Sequence, residues 1–334
     1  MKQKNIYNSL LLLLMLSFSL TSFSQYEDSQ LGHDGFMGDV KMAKITSYQV
    51  VIKDGQESKG GISNYQTRSY LKSGKLQSVI NYNAEGTVVR TQEYTFDKDE
   101  KLLEFLDRMG DMIIKREAYN YDKSANLIEK ITFDGEGSID SKVSNSYNKK
   151  NQLIESSNYS NFFDELKLDQ RTQFEYDKDG NKIKESSFGP EGENWGSAEW
   201  KYDASGNAVE RLNLTETGEI KIRQVYIYDK DDVLTTRKSF DKDGNLKNEA
   251  NLDHLNQPLT LIRYDKDGNI SRKSGNQYDK FGNINAELRY GPDGTESIYV
   301  HHKYIYDDNN NWIQQTAYQG GQAVFMIGRE VTYY

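Results

Sequence analysis

The chain has 334 residues, of which 51 are acidic and 42 are Lys or Arg, giving a formal net charge of −9, and it contains no cysteine. The acidic balance argues against a nucleic-acid partner, because phosphate binding draws on clustered Lys and Arg. Without cysteine there are no disulfides, so burial and backbone pairing must stabilise the fold. Tyr and Phe are abundant, with 24 and 13 residues, and Pro is rare, with 3, which favours β strands.

The first residues have the order of a secretory signal peptide. Lys2 and Lys4 precede an apolar run over residues 10–20, and small side chains follow before Gln25. The run is shorter than the roughly 20 apolar residues that cross a bilayer, although a retained anchor is the alternative. We therefore predict a signal peptide over residues 1–24. The mature chain is predicted to have no transmembrane segment and to be exported to the periplasm, the cell surface or the medium.

The two ends of the mature chain depart from the repeat that fills its middle. Residues 25–64 are predicted to form an N-terminal cap and the first strands, with a more apolar strand over residues 40–53. Residues 321–334 are also rich in apolar side chains, and we predict closing strands that complete the last repeat or dock elsewhere. Between these ends, residues 65–320 are predicted to form one repeat array.

The array is built on an aromatic residue, then Asp, two variable residues, Gly and Asn. Copies of this unit begin at Tyr176, Tyr202, Phe240, Tyr264 and Tyr278. A second, looser class of turn lies between many of them, and most anchor positions are 12 or 14 residues apart, giving a period of about 26 residues. Self-similarity at such a period is typical of a repeat architecture.

This spacing predicts one strand of ordinary length between consecutive hairpin turns. Asp at the start of a turn accepts hydrogen bonds from the backbone ahead of it, and Gly supplies the positive φ that closes the hairpin. Because the steps are even, each anchor aromatic returns to an equivalent face of the sheet. We therefore predict an all-β fold, an extended antiparallel β-hairpin repeat array that forms a single-layer sheet or an open shell. Residues 161–168 break the spacing and are predicted to form a longer loop.

The copies that begin at Tyr176, Tyr202, Tyr264 and Tyr278 resemble the YD repeat, also called the RHS repeat, and the resemblance covers roughly residues 65–320. It implies an extracellular sheet of hairpins, which in large members of the family winds into a hollow shell. This chain is short for such a shell, and its C-terminus resembles neither a self-cleaving core nor a toxin module. It is also similar to short exported bacterial proteins made only of these repeats. The family implies a shape and supplies no catalytic residues.

The repeated turns also resemble part of a calcium-binding loop. Asp177, Asp179 and Asn181 each carry a side-chain oxygen, but the twelfth position is Phe188, where an EF-hand-type loop has a bidentate Glu. We therefore favour structural turns, with a weak calcium site as the alternative, and predict no metal or cofactor. Histidine is scarce, and the four residues are His33, His254, His301 and His302.

Aromatic side chains are the remaining candidates for a contact surface. Trp195, Trp200 and Trp312, together with the many Tyr, suggest a platform for sugar rings or a peptide, and the alternative is cross-strand packing. We predict an exported, non-enzymatic protein that offers a β-sheet surface to a protein or a glycan. The competing hypothesis is a glycan-processing enzyme that uses carboxylates on turns or strands. A deep cleft with two facing carboxylates would favour that enzyme.

Overall fold

The structure, a computed structural model, describes residue 32 and residues 34–163, 165–291 and 293–334; the predicted signal peptide lies outside these residues. The elements are 22 strands, which together form one antiparallel sheet. They are β1 (Val40–Lys53), β2 (Gln56–Tyr70), β3 (Leu76–Asn83), β4 (Val88–Phe96), β5 (Leu102–Met109), β6 (Met112–Tyr121), β7 (Leu127–Phe133), β8 (Ile139–Tyr147), β9 (Leu153–Phe162), β10 (Glu165–Tyr176), β11 (Lys182–Phe188), β12 (Asn194–Tyr202), β13 (Ala208–Leu214), β14 (Ile220–Tyr228), β15 (Leu234–Asp241), β16 (Leu246–Leu252), β17 (Pro258–Tyr264), β18 (Ile270–Tyr278), β19 (Ile284–Tyr290), β20 (Glu296–Tyr306), β21 (Trp312–Gln319) and β22 (Gln322–Tyr333). In the described part of the chain, no helix is both long and apolar enough to cross a membrane.

The sheet is closed into a barrel. Each strand pairs with its neighbours in sequence, and β1 also pairs with β22, from Val40 opposite Tyr333 to Tyr48 opposite Met326. The prediction of an extended array, as a single-layer sheet or an open shell, is therefore wrong. The physical reason is that two free strand edges would each expose a row of unpaired N–H and C=O groups, and pairing between the apolar end strands satisfies both rows.

The predicted hairpin turns at the repeated Asp residues are confirmed. At Asp177, the backbone N–H donates to the carbonyl of Asn181 at 2.9 Å, and the N–H of Gly180 donates back to the carbonyl of Asp177 at 3.3 Å. The Asp177 Oδ1 accepts from the N–H groups of Asp179 and Asn181, both at 2.9 Å. Gly180 has φ of 96°, as expected for a turn followed by a residue in the left-handed region. The repeated Asp thus holds its own turn together.

Successive turns lie on two opposite rims of the barrel, because each hairpin reverses the chain. The tyrosine rim holds the turns at residues 71–75, 97–101, 122–126, 148–152, 177–181, 203–207, 229–233, 253–257, 279–283 and 307–311. The acidic rim holds the turns at residues 54–55, 84–87, 110–111, 134–138, 189–193, 215–219, 242–245, 265–269 and 320–321, the turn at Phe163 and the turn between β19 and β20.

Tyrosines at the strand ends fasten the tyrosine rim. The phenol of Tyr202 donates to the carbonyl of Lys182 at 2.7 Å, so the last residue of one strand is bonded to the first residue of the strand before it. The same bond recurs around the rim, from Tyr121 to Leu102, Tyr147 to Leu127, Tyr176 to Leu153, Tyr228 to Ala208 and Tyr278 to Pro258. Burial of these rings raises the pKa of Tyr202 and of its counterparts Tyr147, Tyr176, Tyr228 and Tyr278.

Buried side chains occur along the whole sheet, and those that form a core cluster lie where the barrel closes. Among the described residues, one core cluster contains Phe36, Val40, Ala43 and Tyr70, at the junction of β1, β2 and β22. Elsewhere the fold is stabilised by backbone ladders and by cross-strand pairs of half-buried side chains.

Residues 161–168 do not form the predicted longer loop. β9 continues to Phe162 and β10 begins at Glu165, so the extra residues lengthen two strands around a tight turn. The result is a hairpin tip at the acidic rim. The prediction was wrong because the longer spacing between anchors is compatible with either a longer loop or two longer strands. Phe162 and Leu166 are residues that strands accept readily.

Candidate binding cleft

The first hairpin extends beyond the barrel as an arm. β1 pairs with β22 only as far as Tyr48, and residues 49–61 continue as a two-stranded ribbon. Irregular register on both sides of Tyr48 bends this ribbon, as β-bulges do. Its tip is a two-residue turn, in which Asp54 and Gly55 have φ of 53° and 77°.

The arm lies against strands near the other end of the chain. The phenol of Tyr318 on β21 donates to the carboxylate of Glu57 on the arm, across 261 residues of sequence. A Cβ at Gly328 would lie 3.1 Å from the Tyr48 ring and 3.4 Å from the Lys59 Nζ. Glycine at this position therefore allows the arm to lie close to β22.

A cleft of about 620 Å³ separates the arm from β20 and β21. This volume lies within the range of small-molecule sites, roughly 300–1,000 Å³. The cleft combines two aromatic rings with hydroxyl, carboxylate, carboxamide and ammonium groups and two apolar side chains. Its lining residues are Glu57, Ser58, Lys59, Lys303, Tyr304, Ile305, Gln314, Thr316, Tyr318 and Met326.

Both lysine ammonium groups of the cleft lie over tyrosine rings. The Lys303 Nζ lies 4.5 Å from the centroid of the Tyr318 ring, and the Lys59 Nζ lies 5.0 Å from that of Tyr48. Burial, followed by the hydrogen bond to Glu57, raises the pKa of Tyr318 to about 12. The phenol therefore remains protonated at neutral pH and keeps donating to the carboxylate.

Glu57 is the one acidic residue among the described residues that line this cleft. Its carboxylate is already engaged by Tyr318. Canonical glycoside hydrolysis uses a pair of carboxyl groups on either side of the scissile bond. The cleft thus has the polar groups of a binding site without a second carboxylate facing the first.

The three tryptophans of the predicted aromatic surface lie apart. Trp195 is 51% exposed on β12, at the acidic rim. Trp200, on the same strand, is buried between the Lys182 ammonium at 4.4 Å and the Arg211 guanidinium at 5.0 Å. Trp312 is buried on β21 against the guanidinium of Arg329 at 3.4 Å and the ring of Tyr304 at 5.9 Å.

Two further sites considered from sequence can be located. Within the described residues, no group of three or more His, Asp or Glu is placed to hold a metal ion. His302 contacts the carboxylate of Glu287 at 3.2 Å, while His301 lies beside Tyr318, its ring centroid 6.2 Å away. Tyr318 and Glu57, which define the cleft, were missed from sequence because no local signal links residues so far apart.

No protein-family model matches the sequence, and no match was found among curated proteins. Among solved structures, the chain is similar to one described as TcdB2-TccC3-TEV, with 10% identity, 81% of this chain and 16% of that chain covered, and a TM-score of 0.30. A Photorhabdus luminescens Tc holotoxin pore gives 10% identity, 87% and 18% coverage, and a TM-score of 0.29. A porin-like protein from Bacteroides uniformis gives 9% identity, 89% and 99% coverage, and a TM-score of 0.27. The chain therefore spans less than a fifth of the length of these toxin chains, and scores this low assign neither a family nor a function.

Proposed function

We propose that this protein is an exported, non-enzymatic binding protein that holds a glycan in the cleft beneath the arm. The observation that carries the proposal is the placing of Tyr318 beside Gln314, Thr316 and Ser58 in one cleft of suitable volume. An aromatic face packs against the C–H groups of a sugar ring, and the hydroxyl and carboxamide groups satisfy its hydroxyls. Pockets with a few convergent polar groups on an apolar wall are the usual form of small-ligand sites.

The single carboxylate of the cleft supports binding over the alternative of a glycan-processing enzyme. Glu57 accepts a hydrogen bond from Tyr318, so it is held in place as a fixed acceptor. A second carboxylate on the opposite wall would be needed for acid–base hydrolysis of a bound glycosidic bond. The alternative ligand is a protein that binds the sheet surface. The exposed Trp195 is the candidate contact residue for such a partner.

The proposal includes the organisation expected from sequence. Residues 1–24 are removed as a signal peptide, residues 25–64 form the cap and first strands, residues 65–320 are a YD-like array, and residues 321–334 are closing strands. The repeated hairpins, many of which are closed by an Asp at the start of the turn, support membership in the YD repeat class. Export supports a ligand outside the cytoplasm, and glycans are abundant both on cell surfaces and in the medium.

The test is calorimetric titration of the full chain with a panel of oligosaccharides, in which at least one is expected to bind. Tyr318→Ala should weaken that binding at least tenfold, because it removes the ring. Tyr318→Phe should weaken it less, because the ring remains and only the bond to Glu57 is lost. Trp195→Ala is the matched control, an aromatic truncation outside the cleft, and should bind normally.

Failure of every oligosaccharide to bind would refute a glycan-binding role. Binding that survives Tyr318→Ala but is lost in Trp195→Ala would place the site elsewhere. Release of shorter sugars during the titration would favour the enzyme hypothesis.

A further inference from the structure

The two rims of the barrel differ in charge. In the described turns of the acidic rim, the basic residues are Lys242 and Lys266, whereas acidic residues such as Glu136, Glu191 and Glu216 occur in most turns. On the tyrosine rim, lysines alternate with the acidic residues. Examples are Lys98, Lys123, Lys150, Lys178 and Lys230. The chain therefore concentrates uncompensated negative charge at one end of the barrel.

Exposed apolar side chains gather at the same rim. Among the described residues, the four most exposed large apolar side chains are Phe163 at 88%, Met112 at 62%, Ile298 at 61% and Ile270 at 57%. All four lie in a turn of the acidic rim or within three residues of one. Met112, Ile270 and Ile298 lie at separate turns, whereas Phe163 lies beside Phe162 on one hairpin tip. Exposed apolar side chains that adjoin one another mark an interaction surface more often than isolated ones do.

This concentration is not an automatic product of the repeat. Leu102 and Ile270 both begin a strand just after a turn, on the tyrosine rim and the acidic rim respectively. Leu102 is 8% exposed beneath Tyr121, which donates to its carbonyl, while Ile270 is 57% exposed. At these two matched positions, the repeat covers the apolar side chain at the tyrosine rim and leaves it uncovered at the acidic rim.

The hairpin between β9 and β10 carries an unusual tip. Phe163 has φ of 53°, a left-handed conformation that is rare for a bulky side chain and costs about 1–3 kcal/mol. Its ring meets that of Phe162 edge-on at 4.7 Å, and both rings are more than half exposed. Glycine at position 163 would remove the strain, so the sequence retains an exposed aromatic ring at a position where it is unfavourable for folding alone.

We infer that the acidic rim is a docking surface for a cationic amphipathic polypeptide, one with basic side chains beside an apolar stripe. Its lysines or arginines would meet the turn carboxylates, and its apolar side chains would cover Phe162 and Phe163. Charge complementarity selects this partner. A second copy of the same rim or an anionic bilayer would instead meet like charge. The inference is independent of the glycan cleft, which lies beneath the arm against β20 and β21.

The experiment uses the full chain and two synthetic helical peptides of one length and one leucine pattern, with lysine or glutamate at every polar position. Fluorescence anisotropy should show the lysine peptide binding at least tenfold more tightly than the glutamate peptide. The affinity should fall between 50 and 300 mM salt, because screening weakens contacts between exposed charges. Phe163→Ser should weaken binding at least fivefold. Serine occupies the same positive φ as Phe163, and the ring that it removes is 88% exposed, so a folding defect is not expected to explain the loss.

Matched controls sit on the tyrosine rim. Leu255→Ser removes a side chain that is 56% exposed there, and Asp231→Lys reverses a turn charge there; both should leave peptide binding unchanged. Glu216→Lys, the charge reversal on the acidic rim, should weaken it. Equal binding of the two peptides, or equal loss in Leu255→Ser and Phe163→Ser, would overturn the inference. It would also be overturned if the full chain bound vesicles of anionic lipid, or dimerised, in a manner abolished by Phe163→Ser.

Discussion

The bond between Tyr202 and the carbonyl of Lys182 offers a direct measure of what the tyrosine rim contributes. Tyr202→Phe keeps the ring and removes only the hydroxyl that donates at 2.7 Å. A hydrogen bond of this kind contributes about 1 kcal/mol net, because the unfolded chain makes equivalent bonds to water. We expect the free energy of unfolding, measured in urea, to fall by about 1 kcal/mol and the thermal midpoint by about 2 °C.

The effect can be enlarged by combining equivalent sites. Tyr121, Tyr202 and Tyr278 lie in different hairpins and share no bonding partner, so the triple Phe variant should lose about 3 kcal/mol by additivity. Tyr159→Phe is the control, because its phenol lies outside this set and its ring contacts the Lys142 ammonium at 5.0 Å. If Tyr202→Phe and Tyr159→Phe unfolded at the same urea concentration, the rim bonds would contribute nothing and the reasoning would fail.

Three further outcomes are expected. Burial raises the pKa of Tyr304 to about 12, so the folded state retains this proton more tightly than the unfolded state. The free energy of unfolding should therefore hold below about pH 10 and fall as the pH rises towards 12. Absorbance at 295 nm, which increases as tyrosines ionise, should rise over the same range. Gly206→Val should cost about 1–3 kcal/mol, since Gly206 has φ of 87°; hydrogen exchange should increase mainly over residues 190–225, and a uniform increase would contradict local stability. Calcium should leave the melting midpoint unchanged, because the Asp177 Oδ1 already accepts two backbone N–H groups; a rise of many degrees would reveal a site at the turns.

Local features of the fold could be predicted from sequence, and long-range ones could not. The turns after Tyr176 and Tyr202 were predictable because Asp, Gly and Asn act within four residues of one another. Closure of the barrel was not, because pairing of β1 with β22 depends on residues almost 300 positions apart. Periodicity describes neighbouring hairpins and carries no information on whether the first and last strands meet.

The candidate site likewise has parts that could be predicted from sequence and parts that could not. Trp195 and Trp200 were grouped from sequence as one aromatic surface, yet Trp195 is exposed beside a register shift and Trp200 is buried on the same strand. The cleft needed the bend in β1 at Tyr48 and the contact between Glu57 and Tyr318, neither of which follows from a repeat. The difference in charge between the rims, by contrast, is present in the sequence, because lysines occur mainly in alternate turns. It can be recognised once each turn is assigned to a rim.

The seam between β1 and β22 also has a consequence for the order of folding. Each hairpin closes a loop of a few residues, whereas the hydroxyl of Thr332 reaches the carbonyl of Met42 across 290 residues. For a flexible chain the longer closure costs about 4 kcal/mol more in entropy, since the cost grows with the logarithm of loop length. We expect hairpins to form early and the seam last. Until that step, two apolar strand edges are open, and at high concentration they can join the edges of another molecule, giving domain-swapped chains of barrels during refolding.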